Sequence, residues 1–245
     1  MCIGKSTIRN QLHLGKQKGG RQLKSKAIAS VFFVFCIIFG FTFAEILLNP
    51  HEDFGDALTR YGLPFLTLIT GILGTVFWVK GTDFEKREKT FETLLIIATV
   101  VYGICLIGIL FGTADRTRAN AGIHASSLVP FRTIYEYFKG YNSGRISLSN
   151  ACVNIIGNLL LFCPIGFILP YFFDGLRHTG WFSIVTLCGL CLVEIMQHIT
   201  ARGNMDIDDV ILNFAGAFIV FLLTWNRRAE QLWIDVGIID EFGSI

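Results

Sequence analysis

Residues 194–213 read EIMQHITARGNMDIDDVILN. The stretch joins two apolar runs, 180–199 and 207–225, each long enough to cross a hydrocarbon layer of roughly 30 Å. At or just inside the ends of those runs stand Glu194, Gln197, His198, Arg202, Asp206, Asp208, Asp209 and Asn213. An ionisable group at a membrane segment's edge is costly to keep, so this hairpin is read first as a functional site. Helical spacing sorts its residues into faces. Glu194, Gln197 and His198 fall at i, i+3 and i+4; Asp206, Asp209 and Asn213 fall at i, i+3 and i+7. Asp208 lies about 100° from Asp209 in helical phase. Asp206 has a scaffold reading as the cap of the second helix, but one helix needs one cap and the stretch holds three aspartates. Glu194 lies about 9 Å inside its helix end, beyond the reach of a capping role.

Outward from this hairpin, the composition is that of an integral membrane protein. Of 245 residues 52% are hydrophobic and 16% charged, with mean hydropathy +0.55. Six apolar runs of spanning length are expected: 27–48, 62–79, 91–112, 152–173, 180–199 and 207–225. None alternates as barrel strands would, so the fold class is all-α: a bundle of about six transmembrane helices. Residues 1–26 hold seven Lys or Arg and form a polar, Gly-containing head expected to be disordered and cytoplasmic. Residues 27–112 are read as three spans, 113–226 as a core of an outer loop with three more, and 227–245 as a cytoplasmic tail.

With the amino terminus inside, the inner segments carry 14 Lys and Arg and the outer segments 7. The positive-inside rule therefore places both termini in the cytoplasm of a multi-pass cell-membrane protein. Trp78, Trp181 and Trp225 then share the inner interface. Six of the seven cysteines sit in or beside apolar runs, and Cys188 and Cys191 lack polar neighbours, so they are read as small hydrophobes. No P-loop, nucleophile motif or zinc-spaced histidine pair is present; the motifs assign no metal site and leave the cofactor unknown.

The connection 113–151 contains LVPFRTIYEYFKGY, residues 128–141. Phe131, Ile134, Tyr135 and Phe138 make an apolar stripe, and Pro130 suits a helix start. A short amphipathic helix is expected there, lying at the membrane surface or packed over the bundle. Arg132 at its start suits bidentate contact with phosphate or carboxylate. The fourth run opens with Asn150, Asn154 and Asn158 on one face, and Pro164 and Pro170 kink or end it. By this topology Asn154, Asn158, Glu194, Gln197, Asp209 and Asn213 converge from three helices near one membrane surface. Arg132, Arg202, Asp206 and Asp208 lie beside them, making one polar outer cleft of mixed charge. An arginine is expected to pair with Glu194 or one of the aspartates.

LVPFRTIYEYF, NIIGNLLLFCPIGFILP, VEIMQHITARGNMDIDD and VILNFAGA, in that order over 128–218, resemble the VanZ-like family of membrane proteins. Val220 departs from the second small residue that the family often places about four after Gly216. The resemblance implies a bacterial cell-envelope protein of the glycopeptide, above all teicoplanin, resistance type, and carries no catalytic residues with it. Its expected partners are membrane lipids and a lipid-linked cell-wall precursor or other anionic envelope component bound in the cleft. Nucleic acid is not among them. The alternative is a membrane-embedded enzyme acting on a lipid-linked phosphate, with Asp206, Asp208 and Asp209 as oxygen ligands for a divalent ion.

Overall fold

A computed structural model describes residues 3–48, 57–111, 127–200 and 205–239. Its helices are α1 (Ile3–Leu48), α2 (Ala57–Lys80), α3 (Arg87–Phe111), α4 (Arg132–Asn142), α5 (Leu148–Leu161), α6 (Ile165–Phe172), α7 (Thr179–Ile199), α8 (Ile207–Thr224) and α9 (Arg227–Val236). Short 3-10 turns precede α3 (Phe84–Lys86) and α7 (Asp174–Arg177). Among the described residues no strand forms beyond an isolated parallel bridge between Ser127 and Asp206. Five helical stretches are long and apolar enough to span a bilayer: Gly19–Thr42, Phe84–Phe111, Asn150–Phe172, Thr179–Ile199 and Ile207–Thr224. The chain is an all-α membrane protein. The second expected span lies within the 24-residue α2, whose Ile69–Lys80 portion is a shorter apolar helix. Helix α1 starts at Ile3, so the basic head expected to be disordered is its continuous amino-terminal extension.

The fourth expected span is broken. Proline at 164 has no N–H to give, and α5 ends at Leu161, three residues before it. The Leu161 carbonyl, left without its helical donor, accepts a bond of 2.8 Å from the Tyr102 hydroxyl of α3. The chain restarts as α6, which carries Pro170 inside it. The two pieces flank α8, the span with the largest buried share, a third of its apolar window against 6% in the α1 and α3 spans.

Two glycines permit this close packing. A β-carbon on Gly216 of α8 would stand 1.7 Å from the Leu159 carbonyl oxygen of α5. One on Gly166 of α6 would stand 2.1 Å from the Ala217 carbonyl oxygen of α8. Small residues let helix backbones approach in lipid, where dispersion and not water exclusion holds helices together. Gly166 also explains Val220: the space above Gly166 is where the Val220 β-carbon sits, so the small residue stands on the facing helix instead. Around this seam Phe162, Phe182, Leu190, Val210, Ala217, Phe221 and Trp225 form the buried core. Phe182 and Phe221 stack with ring centroids 4.3 Å apart.

At one end of the bundle, Arg177 lies over the Trp225 ring, 4.8 Å from its centroid. The Trp225 indole donates to the Phe167 carbonyl. Asn226 caps α9 through the amides of Arg228 and Ala229, and Trp233 donates back to the Thr224 carbonyl. Arg87 donates to the Val236 carbonyl at 3.2 Å, tying the last turn of α9 to the start of α3. The segment read as a tail therefore opens with a docked helix, over Arg227–Val236. The opposite end carries the residues of the 194–213 hairpin.

Candidate functional site: a polar end built on α8

Four carboxylates at this end form a relay of contacts, each reaching a different element. Glu194, on the inward face of α7, is 6% exposed, and its Oε2 accepts the Asp206 amide at 3.1 Å. Asp206 in turn caps α8 by accepting the Asp208 amide at 3.0 Å. Asp208, 1% exposed, accepts the amides of Phe131 and Ile134. A carboxylate of the span α8 thereby caps the amino terminus of α4, more than 70 residues away in sequence. The sequence around α4 offers no cap of its own, since Phe131 occupies that position. Asp209, on the next face of α8, accepts from the Asn158 side chain of α5. The Ser127 bridge reinforces the joint: the Ser127 amide donates to the Met205 carbonyl and the Ile207 amide to the Ser127 carbonyl, both at 2.9 Å.

The other expected site residues are placed less uniformly. Gln197 donates to the Leu110 carbonyl at the end of α3, tying α7 to that span. Asn154 turns onto its own helix and donates to the Asn150 carbonyl. Asn213 is buried, and its Oδ1 accepts no hydrogen bond among the described residues. Arg132 pairs with Glu136, one turn along α4, at 3.1 Å, and not with the hairpin carboxylates. Asp208 is committed to the backbone amides of Phe131 and Ile134. Arg202 lies outside the described residues. Among the described residues no three His, Cys, Asp or Glu side chains group as a metal site.

Sequence reasoning missed Thr133 and Tyr137, and read Phe131 only as part of the stripe. Phe131 has φ 64° and ψ 6°, the only left-handed residue other than glycine among those described. Such a conformation is a genuine outlier for a bulky residue and costs on the order of 1 kcal/mol. Thr133, Tyr137 and Gly140 make the buried face of α4, whereas Phe131, Tyr135 and Phe138 are exposed. The stripe that predicted the helix thus points away from the bundle. A spacing rule sees the stripe but cannot say which side it faces.

The profile of the family described as VanZ/LLP1 matches residues 94–228, more than half of the chain and the whole of this end. The chain belongs to the VanZ/LLP1 family. Protein VanZ from Enterococcus faecium is 32% identical over 121 residues, covering 46% of this chain and 74% of that relative. No solved structure matches. The family match begins inside α3, whose Tyr102 and Leu110 contact α5 and α7. The α1–α2 pair stands outside it.

Proposed function

We infer that this VanZ-family chain works in the bacterial envelope as a glycopeptide-resistance factor of the teicoplanin type. Its polar end faces outward and binds an anionic or lipid-linked envelope component. The observation that carries this reading is what remains once the scaffold has taken its share. Glu194, Asp206 and Asp208 serve backbone amides, and a soluble or membrane scaffold needs nothing more of them. Asp209, Asn158 and Asn213 are different: Asn158 and Asp209 join α5 to α8 side chain to side chain, and the buried Asn213 of α8 keeps an acceptor oxygen with no partner among the described residues. Polar groups within spans are kept for a purpose, and this group adjoins α4 with its basic residues Arg132 and Lys139.

Asp209→Asn keeps the shape and removes the charge. In a host expressing the gene it is expected to abolish protection against teicoplanin while membrane levels stay normal. Glu194→Gln retains an oxygen for the Asp206 amide and is expected to reduce protection less. Full protection by Asp209→Asn at normal expression would refute the reading and leave the cluster as packing. Sidedness has its own test. A cysteine at Ser143 is expected to react with an impermeant maleimide from outside intact cells, and one at Glu85 is not. The reverse pattern would put the polar end in the cytoplasm, away from any envelope ligand.

A further inference from the structure

We propose that α4 is a membrane-interface helix whose exposed aromatic edge inserts into the head-group and upper acyl layer of the surrounding bilayer, held at that depth by Asp208. Helix α4 is packed the opposite way from a helix that serves only a protein core. Its inward face is Thr133, Tyr137 and Gly140, with Gly140 pressed against Ile146. Its outward residues Phe131, Tyr135 and Phe138 are each about three-fifths exposed, and Leu128 and Val129 just before it are exposed as well. On a water-facing surface, so many adjoining apolar side chains would be a liability. At a bilayer boundary they are what is expected of an amphipathic helix with tyrosine among its anchors.

Two observations select the bilayer as the occupant over a second protein, and a third shows that the edge serves something outside the fold. Leu148, Ile156 and Leu160, at the spacing of one face of the next helix α5, are exposed in turn, so the apolar surface continues from α4 onto a span. Lys139 and Arg145 are exposed and Arg132 is partly so, giving phosphate groups cationic partners beside the aromatic edge. Phe131 keeps its bulky ring in a left-handed conformation that glycine or asparagine would adopt more readily, while that ring touches open space. Strain retained at an exposed aromatic residue points to a use for the ring outside the fold.

The inference does not depend on the resistance reading, because it concerns only where α4 lies. The test uses the full chain reconstituted into vesicles of phosphatidylethanolamine and phosphatidylglycerol. Photoreactive p-benzoylphenylalanine replaces Tyr135, Phe138 or, as the inward-facing reference, Tyr137, one at a time. On irradiation, adducts with the mass of one phospholipid are expected at 135 and 138, at several times the yield at 137. Cross-links between two copies at 135 and 138, or lipid yields no greater than at 137, would overturn the proposal. A second measurement addresses the strain. Phe131→Gly is expected to leave the melting temperature unchanged or to raise it by a few degrees; a clear fall would mean that the ring serves packing, and would overturn the argument from strain.

Discussion

Gly216→Val is expected to yield no monodisperse protein in detergent, whereas Gly189→Val is expected to purify and melt like the parent. The first β-carbon would sit 1.7 Å from a backbone carbonyl oxygen of α5. Overpacking into yielding side chains costs about 1–3 kcal/mol. Here the obstacle is main chain, held by its own helical hydrogen bonds, so α5 and α8 must separate as a unit and the cost exceeds about 3 kcal/mol. Proteins are stable by only about 5–15 kcal/mol, so the loss is expected to show as a broad, early-eluting peak and a sharply lowered melting point. Gly189, with nothing within 4 Å of its would-be β-carbon, controls for adding a β-branched residue to a span. Normal elution and melting of Gly216→Val would mean that the α5–α8 contact is not the seam of the bundle.

This seam was legible in sequence only as a residue type. Within α8 the family pattern of small residues is broken at Val220, and the matching Gly166 lies on another helix, where a pattern within one helix cannot reveal it. The spans themselves were plain, because length and hydropathy report the bilayer and not the tertiary fold. Pro164 announced an interruption. The hydroxyl that repairs it comes from Tyr102, 59 residues earlier, and no local rule connects the two.

The polar end divides in the same way. Asp206 as a cap follows from position alone, and the structure bears this out. The helix in the 113–151 connection follows from its stripe. What the sequence hid is the division of labour among neighbouring carboxylates. Asp208 and Asp209 are adjacent, yet about 100° of helical phase sends one to the amides of α4 and the other to Asn158. Arg132 shows the limit of charge complementarity: the hairpin carboxylates were left to Arg132 or Arg202, and Arg132 takes Glu136, one turn away on its own helix, while Arg202 lies outside the described residues.

Asp208→Ala is expected to release α4 from the bundle and to abolish resistance. Its carboxylate is almost wholly buried and satisfies two backbone amides of another element. Each such charge-assisted bond contributes about 1.5–3 kcal/mol, and an amide left unpaired in a partly buried place adds its own penalty. The expected local loss is therefore at least about 3–6 kcal/mol, borne by a helix of 11 residues. Because the core around Phe182 and Phe221 lies toward the other end of α8, the spans are expected to stay assembled, with membrane levels near those of the parent. Asp208→Asn keeps one acceptor oxygen and is expected to fall between the two. A variant as active as the parent, with α4 still in place, would show that the Ser127 bridge alone is enough to hold this end together.

Hydrogen–deuterium exchange of the α4 amides, in the parent and in Asp208→Asn in the same detergent, tests most directly whether a span residue holds that helix. The expected result is protection over residues 131–142 in the parent that falls by at least tenfold in the variant, while α5 and α8 exchange as before. Equal protection of α4 in both proteins would contradict it.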